Sequence, residues 1–153
     1  MITIKSKSEI EKMRLACKIT GDVLKEIEKH IKPGISTKQL DKIAHNYIVS
    51  RGATPSFLNY NGFPGSICAS PNDVVVHGIP AKEVVLAEGD IISVDVGAYI
   101  DGYHGDAART FAVGEISDEA KRLIEVTKQS FFEGIKYAKK GNRKKNSNNI
   151  PTK

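Results

Sequence analysis

The 153-residue chain predicts an α+β fold in which an antiparallel sheet carries helices on one face. Three observations carry that prediction. Residues 90–111 open with a β-branched run, break at Asp101-Gly102 and resume as a second extended segment, the strongest short-range pattern for a two-residue β-hairpin. Ser6 with Glu9, and Ser36 with Gln39, have capping-box spacing, and Ser117-Asp118-Glu119-Ala120 is a third helix start. Each start is followed by apolar residues recurring every three or four positions.

Taken in order, residues 2–5 are extended and lead to a long amphipathic helix. Ile10, Met13, Cys17, Thr20, Leu24, Ile27 and Ile31 form its apolar face, which assigns Met13 and Cys17 to the core, and Lys32-Pro33-Gly34 ends it. His30 is a surface residue compatible with the helix dipole at that end. The second helix buries Leu40, Ile43, Ala44, Tyr47 and Ile48 and stops at Arg51-Gly52, with His45 off the stripe and in solvent. Residues 53–71 are rich in Gly, Pro, Asn and aromatics and read as an ordered, irregular segment. Phe57, Tyr60 and Phe63 with Cys68 there either line an apolar pocket or pack onto the core. Residues 72–76 read as a short strand that delivers His77 to its end, where a lone histidine is more often structural than catalytic. The hairpin follows, then a third helix burying Ala120, Leu123, Ile124, Thr127, Phe131, Ile135 and Ala138. Residues 1–138 thus make one domain. Residues 139–153 form a basic, low-complexity tail expected to be disordered.

Charge and cysteine usage exclude several function classes. The net charge is +5, but seven positive charges follow residue 135, leaving 16 basic against 18 acidic residues before it. The globular part is therefore not basic, and nucleic-acid binding is disfavoured outside the tail. No apolar run is long enough to span a membrane and the start lacks a secretory signal, so the expected location is cytoplasmic. Cys17 and Cys68 lie in unlike contexts without metal-ligand spacing, as suits free thiols in a reducing compartment.

The hairpin also predicts a site. With Asp101-Gly102 as its turn, Gly97 faces Asp106 and Asp95 faces Ala108, so Asp95 and Asp106 share one sheet face as diagonal neighbours, with Cβ atoms about 6–8 Å apart. Such a pair can hold one or two divalent cations. Asp95 sits inside a Val/Ile-rich strand, where an unpaired charge is costly, so it calls for a cation or a shell of hydrogen bonds. His104 shares the face and is a third candidate ligand, although an exposed histidine beside a turn needs no such role.

Residues 53–114 resemble the type I methionine aminopeptidases. The matching segments are Pro55-Ser56-Phe57 with Tyr60-Asn61-Gly62-Phe63-Pro64-Gly65-Ser66-Ile67-Cys68, then Val76-His77-Gly78-Ile79-Pro80, Gly89-Asp90-Ile91-Ile92-Ser93-Val94-Asp95-Val96-Gly97, and Asp101-Gly102-Tyr103-His104-Gly105-Asp106 with Thr110-Phe111. The likeness runs from the N-terminus to about Arg143. It implies the N-terminal half of a pita-bread fold, two αβ halves about a pseudo-twofold axis enclosing a dinuclear metal site. It also implies an enzyme that removes the initiator methionine of nascent polypeptides by metal-assisted hydrolysis, with the ribosome close by. Asp95 and Asp106 resemble the first two metal ligands, Asp106 bridging both ions. His77 resembles the catalytic histidine that contacts substrate at the scissile peptide, and Tyr60, Phe63 and Cys68 resemble the residues around the methionine side chain. Mn²⁺, Fe²⁺, Co²⁺ and Zn²⁺ all suit such ligands. His104 occupies a family position that is not a ligand.

The sequence departs from that pattern in its second half. The family's remaining ligands, a histidine and two glutamates, and a second active-site histidine belong to a C-terminal half that this chain lacks, and no histidine follows His104. Glu115, Glu119, Glu125 and Glu133 fall on a connecting loop or a surface helix and are poor substitutes. The tail's Lys, Asn and Ile, residues of A-rich codons, suggest a frameshift. The expectation is a truncated aminopeptidase of low activity that self-associates through exposed core. The alternatives are a non-catalytic peptide- or partner-binding module on the same fold and, more weakly, nucleic-acid binding through the tail.

Overall fold

The structure is a computed structural model, and it describes residues 3–141. The expected disordered tail lies, from residue 142 onward, outside the described residues. Two compact units are present, one running to Ile116 and one from Ser117.

The first unit opens with α1 (Lys7–Glu28) and α2 (Thr37–Ser50), both started by full capping boxes. Ser6 Oγ accepts from the Glu9 amide while the Glu9 carboxylate accepts from the Ser6 amide at 2.7 Å. Ser36 and Gln39 repeat the exchange. The helix starts thus follow from local chemistry, but the buried face of α1 does not follow the predicted stripe. Ala16, Ile19, Thr20, Val23, Leu24 and Ile27 are buried, whereas Cys17 is exposed, Ile10 is 43% exposed and Met13 is only half-buried. The phase is set by a close approach that apolar lettering does not report. A Cβ on Gly105 would collide with the Ala16 backbone and Thr20 Oγ1, so α1 rests on the sheet backbone at that point. The helix also stops earlier than Lys32-Pro33-Gly34, with Lys29 as its C-cap. The residue before a proline disfavours helical geometry, and the His30 ring bonds the Glu26 carbonyl at 2.9 Å.

The sheet contains β1 (Thr54–Pro55), β2 (Ile67–Pro71), β3 (Ile91–Ile100) and β4 (Tyr103–Ala112), all antiparallel. β3 is central: β4 lies along one edge, and β2 and β1 share the other. Asp101 and Gly102 both take positive φ, 52° and 87°, as a type I′ turn requires. One face of the sheet, including Ile92, Val94, Val96, Ala98, Ile67 and Ala69, joins Val23, Ile27, Leu40 and Ile48 of the helices in a single core. Each fully buried aliphatic side chain there contributes about 1.5–3 kcal/mol.

Two expectations about the middle of the chain need correction. Residues 53–71 are not irregular throughout, since they hold β1, a helical turn at Tyr60–Gly62 and β2. Residues 72–76 are not a strand. Asn72 takes a φ of 49°, its side chain bonds the Ile91 amide and the Asp90 carboxylate, and Val75 is left 85% exposed. The neighbouring strand decides this. Ile67–Pro71 lies in register with β3, so a Ser- and Pro-containing stretch extends while the β-branched run becomes loop.

In the second unit Ser117 caps α3 (Asp118–Ile135), accepting from the Ala120 amide at 3.2 Å. None of its residues is buried, contrary to the expected buried side: Leu123 is 58% exposed and Phe131 62%, with Phe131 edge-on to Phe132. Amphipathic spacing states that a face can be covered and leaves open what covers it.

Candidate metal centre

The hairpin pairs without a slip from Ile91↔Ala112 to Ile100↔Tyr103, placing Asp95 opposite Ala108 and Asp106 opposite Gly97. Both aspartates therefore project from one face as diagonal neighbours, opposite the face packed under the helices. β2 adds Cys68 directly across from Asp95. Gly97 lets a loop close over this face, because a Cβ there would come within 2.8 Å of Ser56 Cβ and 2.9 Å of Phe57 Cε1. The Phe57 ring thus lies over the strand position that faces Asp106. Its aromatic character had marked it only as a pocket or core residue.

The electrostatics of the face are unusual. Asp95 Oδ1 is shut off from solvent without a hydrogen-bond partner among the described residues. Burial first, and the Asp106 carboxylate second, push the Asp95 carboxyl above the ordinary aspartate value, while His77 pulls it the other way. The Cys68 thiol is pushed up to about 11 by burial and then by the two aspartates. Cys68 is therefore a neutral thiol near physiological pH and a poor nucleophile.

A buried carboxylate oxygen without a donor is costly, and a cation held between two carboxylates removes that cost. The pair fits a divalent ion as part of a donor set. No group of three or more His, Cys, Asp or Glu that could hold one occurs among the described residues. Chain sites of oxygen donors are selective for hard or borderline metals.

His77 is exposed and left-handed, with a φ of 58°. The strand beside it holds it there: the Ala69 amide donates to Gly78 O at 2.9 Å and the Gly78 amide to Ser70 Oγ at 3.0 Å. Tyr60 and Phe63 sit in the loop feeding β2, Tyr60 being 68% exposed and Phe63 half-buried. His104 is on the site face opposite Tyr99, stacked on it at 4.6 Å, with Nδ1 bonded to Ser56 Oγ at 2.8 Å.

One polar cluster escaped the sequence reading. His45, expected in solvent, is half-buried and bonds Ser66 Oγ through Nδ1 at 2.9 Å. Asp41 is buried, with Oδ1 accepting from the Ser66 amide at 2.6 Å and the Ile67 amide at 3.3 Å, and Oδ2 paired with Lys38. These groups pin the start of β2, two residues before Cys68, to α2. An i, i+4 Asp-His pair on a helix is too common to have revealed it.

The fold, a helix-backed antiparallel sheet with two carboxylates on its open face, is of the pita-bread type. The family model described as Metallopeptidase family M24 matches residues 11–150, and the chain belongs to that family. It is 59% identical over 143 residues to methionine aminopeptidase of Clostridium acetobutylicum, covering 94% of this chain and 57% of that protein. It is 53% identical over 146 residues to methionine aminopeptidase 1 of Bacillus subtilis, covering 95% and 58%. The crystal structure of methionine aminopeptidase from Rickettsia prowazekii superposes with a TM-score of 0.86 at 44% identity, covering 88% of this chain and 54% of that one. The chain thus spans little more than half the length of the relatives it matches. No helix among the described residues is long and apolar enough to cross a membrane.

Proposed function

We propose that this chain supplies one half of a cytoplasmic methionine aminopeptidase, a metal-dependent enzyme that removes the N-terminal methionine from nascent polypeptides near the ribosome. The observation that carries the reading is that Oδ1 of Asp95, on the same sheet face as Asp106, is excluded from solvent and has no hydrogen-bond partner among the described residues. Residues 1–138 are the aminopeptidase part and residues 139–153 an appended tail.

Asp95 and Asp106 would hold a divalent ion as two members of its donor set. Bound there, Mn²⁺, Fe²⁺, Co²⁺ or Zn²⁺ supplies Lewis acidity and an activated water. The chain's own residues orient the substrate. His77 hydrogen-bonds the scissile peptide as the catalytic histidine. Tyr60, Phe63 and the neutral thiol of Cys68 surround the methionine thioether, where soft, polarisable contacts are favourable. Two carboxylates leave the ion short of ligands, so the chain alone hydrolyses slowly, and its exposed Val74, Val75 and Ile79 favour self-association.

Titration calorimetry with Mn²⁺ tests the metal assignment: weak binding is expected, abolished in Asp95→Asn and in Asp106→Asn. Binding that survives both changes would overturn it. A Met-initiated tripeptide should be hydrolysed far below enzymatic rates, and rapid turnover by the isolated chain would refute the incomplete-site reading.

The exposure of Tyr60 on the loop feeding β2 favours a second reading, a non-catalytic module that binds peptide N-termini or a partner surface through Tyr60 and Phe63. It requires peptide affinity indifferent to chelator. Affinity lost on adding EDTA excludes it.

A further inference from the structure

We propose that Asn61 is a site of spontaneous deamidation, and that its isoaspartyl product unfastens the loop carrying Tyr60 and Phe63. Asn61 is the only asparagine in the chain followed by glycine. In this chemistry the Gly62 amide nitrogen attacks Asn61 Cγ. The new C–N bond closes a cyclic imide while the Cγ–Nδ2 bond breaks, and ammonia leaves with the amide proton. Water then opens the imide at either carbonyl to give aspartate or isoaspartate, so the only co-reactant is water. Glycine at the attacking position removes the Cβ that would shield the nitrogen.

The surroundings favour the reaction. Asn61 and Gly62 are both exposed, and a Cβ built on Gly62 meets nothing within 4 Å. Asn61 lies in the left-handed region at φ 48°, ψ 34°, a conformation that costs a non-glycine residue energy even where asparagine tolerates it. Attack requires Asn61 to rotate about ψ, which frees the Gly62 amide. That amide is held only by a long bond to Asn59 O, at 3.4 Å.

The consequence is local and mechanical. Two bonds close the turn across the Asn61-Gly62 peptide, Asn59 amide to Phe63 O at 2.8 Å and Phe63 amide to Tyr60 O at 3.0 Å, while Tyr60 amide to Phe57 O at 3.0 Å holds the residues just before it. Isoaspartate routes the main chain through the side-chain carbon, adding one methylene inside that small ring and leaving a carboxylate beside it. The turn cannot keep its spacing. Asp101-Gly102, which reaches the same imide with loss of water, is an internal comparison, because the paired Ile100 and Tyr103 clamp it.

The test is to age the intact chain in EDTA at neutral and mildly alkaline pH and map its peptides by mass spectrometry. Isoaspartate is labelled with an isoaspartyl methyltransferase, and amide protection over residues 57–63 is followed by hydrogen exchange. The expected result is an amide-to-acid mass gain and methyl acceptance on the peptide bearing Asn61, faster in base, with loss of protection at the Asn59 and Phe63 amides. Asn61→Gln, which needs a larger ring, should lose the signal while keeping the fold. The proposal is overturned if the free peptide Tyr-Asn-Gly-Phe-Pro converts while the intact chain retains Asn61, or if conversion leaves the amide protection unchanged.

Discussion

Asp95 is held in a strand whose alternate residues are core, so its carboxylate is partly desolvated whether or not a cation is near. Its carboxyl lies above the ordinary aspartate value because of burial first and Asp106 second. A raised folded-state value means that the ionisation penalty is absent below the unfolded value and grows as pH rises through the folded one. Asp95→Asn is therefore expected to stabilise the metal-free chain near neutral pH, an advantage that fades in acid. Thermal unfolding in EDTA across that range checks it, and a destabilised variant at neutral pH would contradict it. Glu9 behaves oppositely. The Ser6 amide, then the Ser6 hydroxyl, then the Tyr103 hydroxyl lower it to about 2. Its contribution is present above the ordinary glutamate value of 4.5 and is lost as pH falls toward 2. Acid unfolding of Glu9→Gln should lack that part of the pH dependence. The Ser6–Glu9 box is readable from spacing, but the Tyr103 bond at 2.9 Å spans 94 positions and is not.

At the scale of elements, two glycines of the hairpin separate local from tertiary demands. Gly102 needs positive φ and its missing Cβ would meet nothing within 4 Å, so Gly102→Ala should cost only about 1–2 kcal/mol of conformational strain. Gly105 faces the Ala16 backbone, which cannot move aside without shifting α1, and Gly105→Ala should cost about 3 kcal/mol. Equal losses in urea unfolding would show that α1 does not rest on β4 as described. The link from α2 to β2 is similarly specific. Asp41→Ala leaves the Ser66 and Ile67 amides without their acceptor, and is expected to cost about 2–4 kcal/mol and loosen Cys68. Faster thiol labelling at Cys68, relative to exposed Cys17, would report that loosening.

At the scale of the whole molecule, the chain covers 57% of its C. acetobutylicum relative, and apolar side chains of the loop at Val74–Ile79 and of α3 remain exposed. On the proposed half-enzyme reading, the sheet face carrying Asp95 and Asp106 and these exposed apolar side chains are surfaces that the remainder of such an enzyme would cover. The part of that relative which this chain does not cover, supplied in trans, should therefore raise Mn²⁺ affinity and the unfolding temperature together. No change in either, despite demonstrated mixing at high concentration, would count against the half-enzyme reading.

Sequence by itself determined the helix starts, the Asp101-Gly102 turn, the strand register and hence the shared face of Asp95 and Asp106. These depend on groups within a few residues of one another and on a side-chain period of two that a tight turn propagates along both strands. Only the tertiary structure decided which face of α1 is buried, that Ile67–Pro71 rather than the valine run extends, that Asp41 and His45 grip Ser66, and that one oxygen of Asp95 has no partner among the described residues. Each of those outcomes depends on what lies across a contact from a distant segment, and burial and pairing are properties of both sides of a contact.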